Sequence, residues 1–313
     1  MENIKTFEGF WDFLKSKTPV KKTLHSQELF GIKRKVKDFC DRLNIQNYTI
    51  NNDGTVDVNG ELRLDLSLLK KYELNKTIIN FNKVSGSVDM TSNKKGINKL
   101  PFTFKEVTGS FFITHKNLET LLGCPKKVGG NFNCRNNRLR TLEGAPEYVG
   151  GNFYASDNSL SSLQGAPKYI GGDFDISDNS LETLEGLPER IGGFLELQSN
   201  KIKSLEYINN NCNVRYWSLE QNPIMLIFEL VSYEIEEYSS ITDIIDFFNS
   251  CDPVHPQESG DPILYLNRLE LFMSEVLGRE LDIRKEIENH HASLYGNHGS
   301  IRFLLEYYYD IRY

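Results

Sequence analysis

Histidine side chains close together near the end of the chain are the first candidates for chemistry. His290, His291 and His298 fall within the stretch HHASLYGNHG. A metal site needs three or four ligands that converge on one point, usually with carboxylate or cysteine side chains among them. Because adjacent histidines on a helix point in different directions, this spacing predicts no metal site.

Cys251, with Asp252 next to it and His255 close by, has the composition of a nucleophile and its base. Such a cysteine needs an electropositive environment that lowers its pKa, whereas residues 225–313 carry 17 acidic and 6 basic residues. The chain also contains no P-loop, no G-x-S-x-G and no H-E-x-x-H motif, which are the common signatures of phosphate-binding, hydrolase and zinc-protease sites. We therefore predict no catalytic residue, no metal and no cofactor.

The composition, with 39% hydrophobic and 25% charged residues, is typical of a soluble globular protein. The opening stretch MENIKTFEGFWDFLK is charged and amphipathic, which predicts no signal peptide, and no window is apolar enough for a membrane span. Five cysteines lack the spacing of metal or disulfide sites, which indicates reduced thiols. We predict a cytoplasmic protein without a membrane or nucleic-acid partner, since phosphate contacts need basic residues and the C-terminal part is acidic.

Residues 118–202 repeat with a period of 21 residues. A fixed period of this length indicates a solenoid, in which each unit buries its apolar side against its neighbours. The equivalent positions are the apolar series Leu118, Leu139, Leu160, Leu181 and Ile202, the prolines Pro125, Pro146, Pro167 and Pro188, and the glycine pairs Gly129-Gly130, Gly150-Gly151, Gly171-Gly172 and Gly192-Gly193.

Each repeat contains a segment of the form F-x-C-x-x-N-x-L, which matches the L-x-L-x-x-N-x-L centre of the leucine-rich repeat. The first two apolar positions predict strand residues that point into the core. One departure is an extra glycine before the strand, which we interpret as a tight turn or bulge. The asparagines of this motif are predicted to point inward and bond the backbone of adjacent coils; they are Asn137, Asn158, Asn179 and Asn200.

These patterns divide the chain into three parts and predict an α/β solenoid. Residues 1–50 form a helical N-terminal cap, with amphipathic helices over 4–15 and 27–43. Residues 51–224 form the leucine-rich-repeat array, and residues 225–313 form an acidic helical C-terminal domain. The helices predicted in the C-terminal part cover 223–238, 240–249, 262–277, 281–291 and 300–312. On the last of them we place three residues in the core: Phe303, Leu304 and Tyr307.

The outward positions of the predicted strands are the candidate binding surface. Neighbouring coils stack about 5 Å apart, so acidic residues of successive coils converge, and aromatic residues lie among them. This pattern predicts a concave face that binds a protein with a basic surface. Alternatives are that the residues only keep the face soluble, or that the carboxylates bind calcium. The candidate residues are Asn152, Tyr154, Asp157, Asp173, Asp175, Asp178, Phe194, Glu196 and Tyr216.

The repeat G-x-P-x-x-[VI]-G-G-x-F, followed by N-x-L-x-x-L-x-G, resembles the leucine-rich-repeat proteins encoded by large tailed bacteriophages. The stretches NYTINNDGTVDVNGELRL before the repeats and NPIMLIFELV after them are similar to the flanks in that group. The resemblance covers roughly residues 40–250 and implies expression inside a bacterium. The resemblance, in which most members have no assigned activity, suggests a role against host machinery or in the virus particle. Together with the acidic and aromatic concave face, it leads us to expect a non-enzymatic protein that binds a host protein in the bacterial cytoplasm. The alternatives are a structural or accessory component of the virion and an enzyme built on the C-terminal domain.

A second resemblance is to the repeats of secreted bacterial ubiquitin-ligase effectors, which share P-x-x-[VI] and N-x-L-x-x-L. Those proteins carry a large catalytic domain with a C-x-D motif. Here Cys251 is followed by Asp252 and then Pro253, so the motif is absent. No catalytic residue is carried over from that family.

Overall fold

The computed structural model describes residues 26–68, 79–91, 96–205, 207, 216–227, 229, 253–255, 257, 260–277, 279–289, 291–294 and 297–312. The helices are α1 (Ser26–Arg42), α2 (Leu266–Leu277), α3 (Ile283–Asn289) and α4 (Ile301–Tyr308). The first strands, in chain order, are β1 (Tyr48–Ile50), β2 (Val56–Val58), β3 (Leu62–Arg63), β4 (Ile79–Val84), β5 (Val88–Asp89), β6 (Phe102–Val107), β7 (Phe111–Phe112), β8 (Lys127–Val128) and β9 (Phe132–Asn133). They are followed by β10 (Tyr148–Val149), β11 (Phe153–Tyr154), β12 (Tyr169–Ile170), β13 (Phe174–Asp175), β14 (Arg190–Ile191), β15 (Phe194–Glu196) and β16 (Tyr216–Ser218). The last strands are β17 (Val254–His255), β18 (Ile263–Tyr265), β19 (His291–Leu294), β20 (Asn297–Ser300) and β21 (Asp310–Arg312).

The repeats form a parallel β-solenoid built from two eight-stranded sheets. Sheet one has the order β1-β2-β4-β6-β8-β10-β12-β14, and sheet two has the order β16-β15-β13-β11-β9-β7-β5-β3. Each coil adds one strand to each sheet, and the strands of successive coils pair in parallel, as β11 does with β9 and β13. The exception is β1, which pairs with β2 in the antiparallel direction. The predicted solenoid is therefore confirmed.

Two features of the coils differ from the prediction. The prediction placed a strand only after each glycine pair, but a strand also lies before it. Gly150 and Gly151, for example, link β10 to β11. No helix lies between the strands in the described residues 79–91 and 96–205, so these coils are not of the predicted α/β type. The physical reason is length, because a 21-residue coil that holds two strands leaves room only for turns on the return.

Close contact between coils explains the glycine pairs. A Cβ atom on Gly171 would overlap the carbonyl oxygen of Gly150 in the preceding coil, and one on Gly192 would overlap that of Gly171. The backbones approach so closely at this corner that only glycine fits. The first glycine of each pair is therefore required by packing between coils and not by a left-handed backbone, which none of the paired glycines adopts.

Aromatic and aliphatic side chains fill the space between the two sheets. Phe111, Phe132, Phe153 and Phe174 are fully buried and form a column in which successive ring centroids lie 5.7, 5.0 and 5.4 Å apart. Rings at these separations add about 0.5–1.5 kcal/mol per pair to the burial of their apolar surface. The column therefore stabilises the stacking of coils along the whole central part of the array.

The repeated asparagines point inward and connect adjacent coils, as predicted. The Asn200 carboxamide oxygen accepts a hydrogen bond from the Leu181 N–H at 3.0 Å, and its nitrogen donates to the carbonyls of Ile176 and Leu197 at 3.0 and 2.9 Å. Asn200 is fully buried. Each such asparagine satisfies backbone groups that the tight turn would otherwise leave without partners.

Helix α1 packs against the N-terminal end of the solenoid core, which confirms the helix predicted over 27–43. Val36, Phe39 and Cys40 are buried, and the Phe39 ring meets Phe102 edge-on at 5.6 Å. The helix predicted over 4–15 lies outside the described residues.

The described C-terminal residues are mixed α and β, so the prediction of an all-helical part was wrong. Strand β18 occupies the beginning of the helix predicted over 262–277, and pairs with β17 and β21. Its sequence Ile263–Tyr265 contains β-branched and aromatic residues that suit a half-buried strand. Strands β19 and β20 form an antiparallel hairpin after α3. Most of 223–238 and all of 240–249 lie outside the described residues.

Helix α4 exposes two of the three residues that were assigned to the core. Phe303 and Tyr307 are 66% and 67% exposed, whereas Leu304 is buried. Helical spacing alone could not tell which side of α4 packs inward; the inward side carries Ile301 and Leu305. Within the residues that the structure describes, no helix has the length and apolar character needed to cross a membrane.

Candidate functional site

The outward side of sheet two is a continuous polar surface, which we call the strand face. On adjacent strands, Tyr154 pairs in register with Asp175, and Asp175 pairs with Glu196. Side chains alternate between the two sides of a strand, so these three point away from the buried phenylalanine column. The strand face is centred on the outward residues Asn133, Tyr154, Asp175, Glu196 and Ser218. It also includes the residues two positions before them, Asn131, Asn152, Asp173, Phe194 and Tyr216, and the residues two positions after them, Arg135, Ser156, Ser177, Gln198 and Glu220.

Asp175 was predicted to contact a partner, but it is buried within the strand face. Arg135 reaches across two coils to form an ion pair with its carboxylate, and only 1% of Asp175 is exposed. On the way, the Arg135 guanidinium lies over the Tyr154 ring at 4.3 Å from the centroid. The backbone N–H and the hydroxyl of Ser177 donate to the same carboxylate at 3.1 and 2.6 Å. Groups of this chain therefore pair the charge of the carboxylate and bond both of its oxygens.

Arg135 is the site residue that sequence reasoning missed. Its outward position was visible in the repeat, but a contact with Asp175 spans 40 residues, almost two periods. An arginine two coils before an aspartate, with an aromatic residue between them, is the signal that could have revealed it.

Asn152 and Asp173 are half-buried and serve mainly to connect coils. The Asn152 carboxamide oxygen accepts a hydrogen bond from the Asp173 N–H at 3.0 Å, and the Asp173 carboxylate accepts one from the Phe194 N–H at 2.8 Å. Asn131 accepts from the Asn152 N–H in the same way at 2.9 Å. The Asp173 carboxylate also accepts from the Asn152 amide at 3.2 Å. We call this series of side chains the acceptor ladder.

Phe194 and Glu196 on β15 are the accessible aromatic and acidic residues of the strand face. Phe194 is 48% exposed, and Glu196 is partly exposed. Burial raises the pKa of the Glu196 carboxyl, and the negative charges of Asp175 and Asp173 raise it further, against the opposing effect of Arg135. Three carboxylates therefore lie within electrostatic range of one another, which favours a cation at this position.

Asp157 and Asp178 lie at the rim of the strand face, in the turns that follow β11 and β13. Both are exposed, and both have left-handed backbone conformations, with φ of 55° and 53°. Aspartate tolerates this conformation better than most residues. Tyr216 lies on β16 with its backbone paired to Phe194, as the predicted position requires. The Tyr216 side chain is outside the described part of the structure.

The buried thiols of the described residues are poorly suited to nucleophilic chemistry. Burial raises the pKa of the Cys40 thiol to about 12 and raises the pKa values of Cys124 and Cys134 as well. Cys251, His290 and the side chains of His291 and His298 lie outside the described residues. Among the residues that are described, no group of three histidine, cysteine or acidic side chains could hold a metal ion.

The strand face thus offers an aromatic ring, a partly desolvated carboxylate and, at its rim, further carboxylates on a rigid two-sheet support. These groups suit non-covalent binding. Comparisons of the chain with protein-family models, with curated proteins and with solved structures found no match.

Proposed function

We propose that the chain is a phage-encoded leucine-rich-repeat protein that binds another protein through the strand face and catalyses no reaction. The observation that carries the proposal is the pair Phe194 and Glu196, in which an exposed aromatic ring lies beside a carboxylate whose ionisation is disfavoured. A few residues, many of them aromatic, carry most of the binding energy of typical protein interfaces. The repeat motif and its inward asparagines support the leucine-rich-repeat assignment.

The charge balance around β15 indicates the chemistry of the partner. Asp173, Asp175 and Glu196 lie together, and Arg135 balances one of these charges through its ion pair with Asp175. A lysine or arginine of a partner would offset the remaining negative charge and favour the ionised form of Glu196. Asp157 and Asp178 at the rim extend the negative surface and would accelerate the approach of a basic partner. The proposed partner therefore presents a basic surface.

The proposed place of action is the cytoplasm of an infected bacterium, and the proposed partner is a host protein. A photo-crosslinking amino acid in place of Phe194, in the full chain expressed during infection, would capture the partner. The matched control carries the same amino acid in place of Tyr148, which is 39% exposed and lies on sheet one instead of sheet two. We expect crosslinks to one protein from position 194 and none to that protein from position 148.

The identity of the crosslinked protein separates the candidate functions. A host protein supports a host-directed binder, whereas a capsid or tail subunit would make the role architectural within the virion. Crosslinks of equal yield from both positions, or none from position 194, would contradict binding through the strand face.

A further inference from the structure

One turn of the solenoid departs from the repeat, at His115, Lys116 and Asn117. The following coils place an asparagine where Lys116 lies, and each of their turns contains one residue in the left-handed region, such as Asn136 with φ of 57°. In the departing turn both His115 and Asn117 are left-handed, with φ of 58° and 61°. Side chains other than glycine adopt this conformation at a cost, and such positions cluster where a protein binds ligands.

Lys116 adds a second cost to the same turn. Its side chain is completely buried, and its ammonium group donates to the carbonyl oxygen of Thr91 in the preceding coil at 3.3 Å. Burial lowers the pKa of this lysine, while the charges of Asp89 and Asp65 oppose that effect. Departures from a repeat that weaken the fold are expected at functional sites, because selection otherwise removes them.

The departing turn lines a groove of about 390 Å³, which we call the turn groove. The groove is shallow and polar, so a ligand in it would stay largely open to water and would be held mainly by hydrogen bonds. The groove lies at the rim of sheet two, and its walls come from three successive coils whose backbones are hydrogen-bonded, as in the bond from the Asn136 N–H to the Ser156 carbonyl at 3.1 Å. The lining residues are His115, Asn117, Asn136, Asn137 and Asp157.

The polar groups of the turn groove converge while keeping capacity for further hydrogen bonds. Among the described residues, the side chains of His115 and Asn117 make no hydrogen bond, and Asn136 makes one long contact to Asp157 at 3.5 Å. Asn137, by contrast, is committed to the backbone of its neighbours. The groove therefore presents an imidazole, two carboxamides and a carboxylate, which together supply both donors and acceptors.

The charge of the groove selects among ligand classes. The single carboxylate of Asp157 opposes an anion, and because Asp157 is exposed, an ion pair with it would contribute little to the binding of a cation. A divalent metal lacks enough ligands, since no group of three suitable side chains occurs in the described part of the chain. A neutral ligand rich in hydroxyl groups meets neither objection, because each hydroxyl both donates and accepts a hydrogen bond. We propose that the turn groove binds a neutral, hydroxyl-rich small molecule of the size of a sugar unit.

The test is a titration of the full-length, isotope-labelled chain with glucose, galactose, mannose and N-acetylglucosamine, followed by NMR. Each sugar is added up to about 50 mM, which detects dissociation constants in the millimolar range. We expect at least one sugar to give saturable shifts of amide signals at His115, Asn117, Asn136 and Asp157, with no comparable cluster elsewhere.

Two glycine variants separate binding in the groove from a change of fold. Asp157→Gly removes a lining side chain at a left-handed position that glycine tolerates. Asp178→Gly makes the same change one coil further on, outside the groove. The expected result is binding that is weakened about tenfold or more in Asp157→Gly and unchanged in Asp178→Gly, with all other amide signals retained in both. Saturation by none of the four sugars, shifts centred elsewhere, or equal affinity in both variants would overturn the proposal.

Discussion

Replacement of Arg135 by methionine tests whether the strand face is held together by its ion pair. Methionine retains much of the apolar stem of arginine but removes the guanidinium that neutralises Asp175. Asp175 is 1% exposed, so in the variant its buried charge would be stabilised only by the hydrogen bonds from Ser177. Removal of one partner of a buried pair costs about 3–5 kcal/mol. We expect a loss near 3 kcal/mol in the free energy of unfolding, because the Ser177 donors remain.

The reverse replacement, Asp175→Asn, should cost less. It removes the buried charge but keeps an oxygen that can accept from Ser177. The arginine side chain left behind is 36% exposed, so water reaches part of its guanidinium, while its Nε is buried with no hydrogen-bond partner among the described residues. We expect a loss of about 1 kcal/mol, the typical net contribution of a hydrogen bond. In the double variant no charge is buried, so its loss should be smaller than the sum of the two single losses by about 2 kcal/mol.

Urea unfolding followed by circular dichroism measures these differences. Arg138→Met provides the matched control, because Arg138 is an exposed arginine in the same coil, and surface replacements change stability by less than about 0.5 kcal/mol. Additive losses in the double variant, or an Arg135→Met loss no larger than that of Arg138→Met, would refute the structural role of the ion pair.

Three further predictions concern the array and its acidic residue. Asn200→Ala leaves buried backbone groups without partners and should lower the free energy of unfolding by about 3 kcal/mol, whereas exposed Lys201→Ala should change it little; urea unfolding compares them. Gly171→Ala places a methyl group against backbone and should abolish the cooperative thermal transition, whereas Gly31→Ala, within α1 and with open space around it, should raise stability by about 0.5–1 kcal/mol. Glu196→Gln should stabilise the protein at neutral pH: because folding raises the pKa of Glu196, wild type loses stability as pH rises through that pKa, and the difference should vanish in acid below the unfolded pKa of about 4.3. A stability difference between Glu196→Gln and wild type that is independent of pH would contradict this reasoning.

The parts of the fold that follow from the period were predictable, because every coil meets the same environment. The inward direction of Phe153 follows from the alternation of side chains along one strand. That of Asn179 follows from the backbone groups of one turn that need hydrogen-bond partners. Both patterns are visible in a single repeat. The strand before each glycine pair was not predicted, since two residues such as Tyr148–Val149 are too short for a pattern to indicate a strand. The C-terminal part has no repeat, so local helical spacing was the only guide there, and tertiary pairing overrode it at β18.

The candidate site was predictable in position but not in exposure. Tyr154, Asp175 and Glu196 do lie side by side on one surface, because register in a parallel sheet follows from the period. The burial of Asp175 could not be predicted, since it depends on how far the Arg135 side chain extends across two coils. The repeat fixes the positions of backbones, whereas the path of a long side chain depends on its particular neighbours, here the Tyr154 ring.

The acceptor ladder has a consequence for how the gene for such a protein can change. Each unit accepts one hydrogen bond from the following coil and donates an equivalent bond to the preceding coil. Asn152, for example, accepts from the Asp173 N–H and donates its own N–H to Asn131. A tandem duplication of a 21-residue unit within this stretch would therefore restore every bond that it interrupts. Recombination could lengthen or shorten the protein by about 5 Å a step without inventing a new contact. Phe194 ends the ladder because its side chain has no hydrogen-bond acceptor. A unit inserted directly before the coil of Phe194 would have to carry an aspartate or asparagine that accepts from the Phe194 N–H, as Asp173 does.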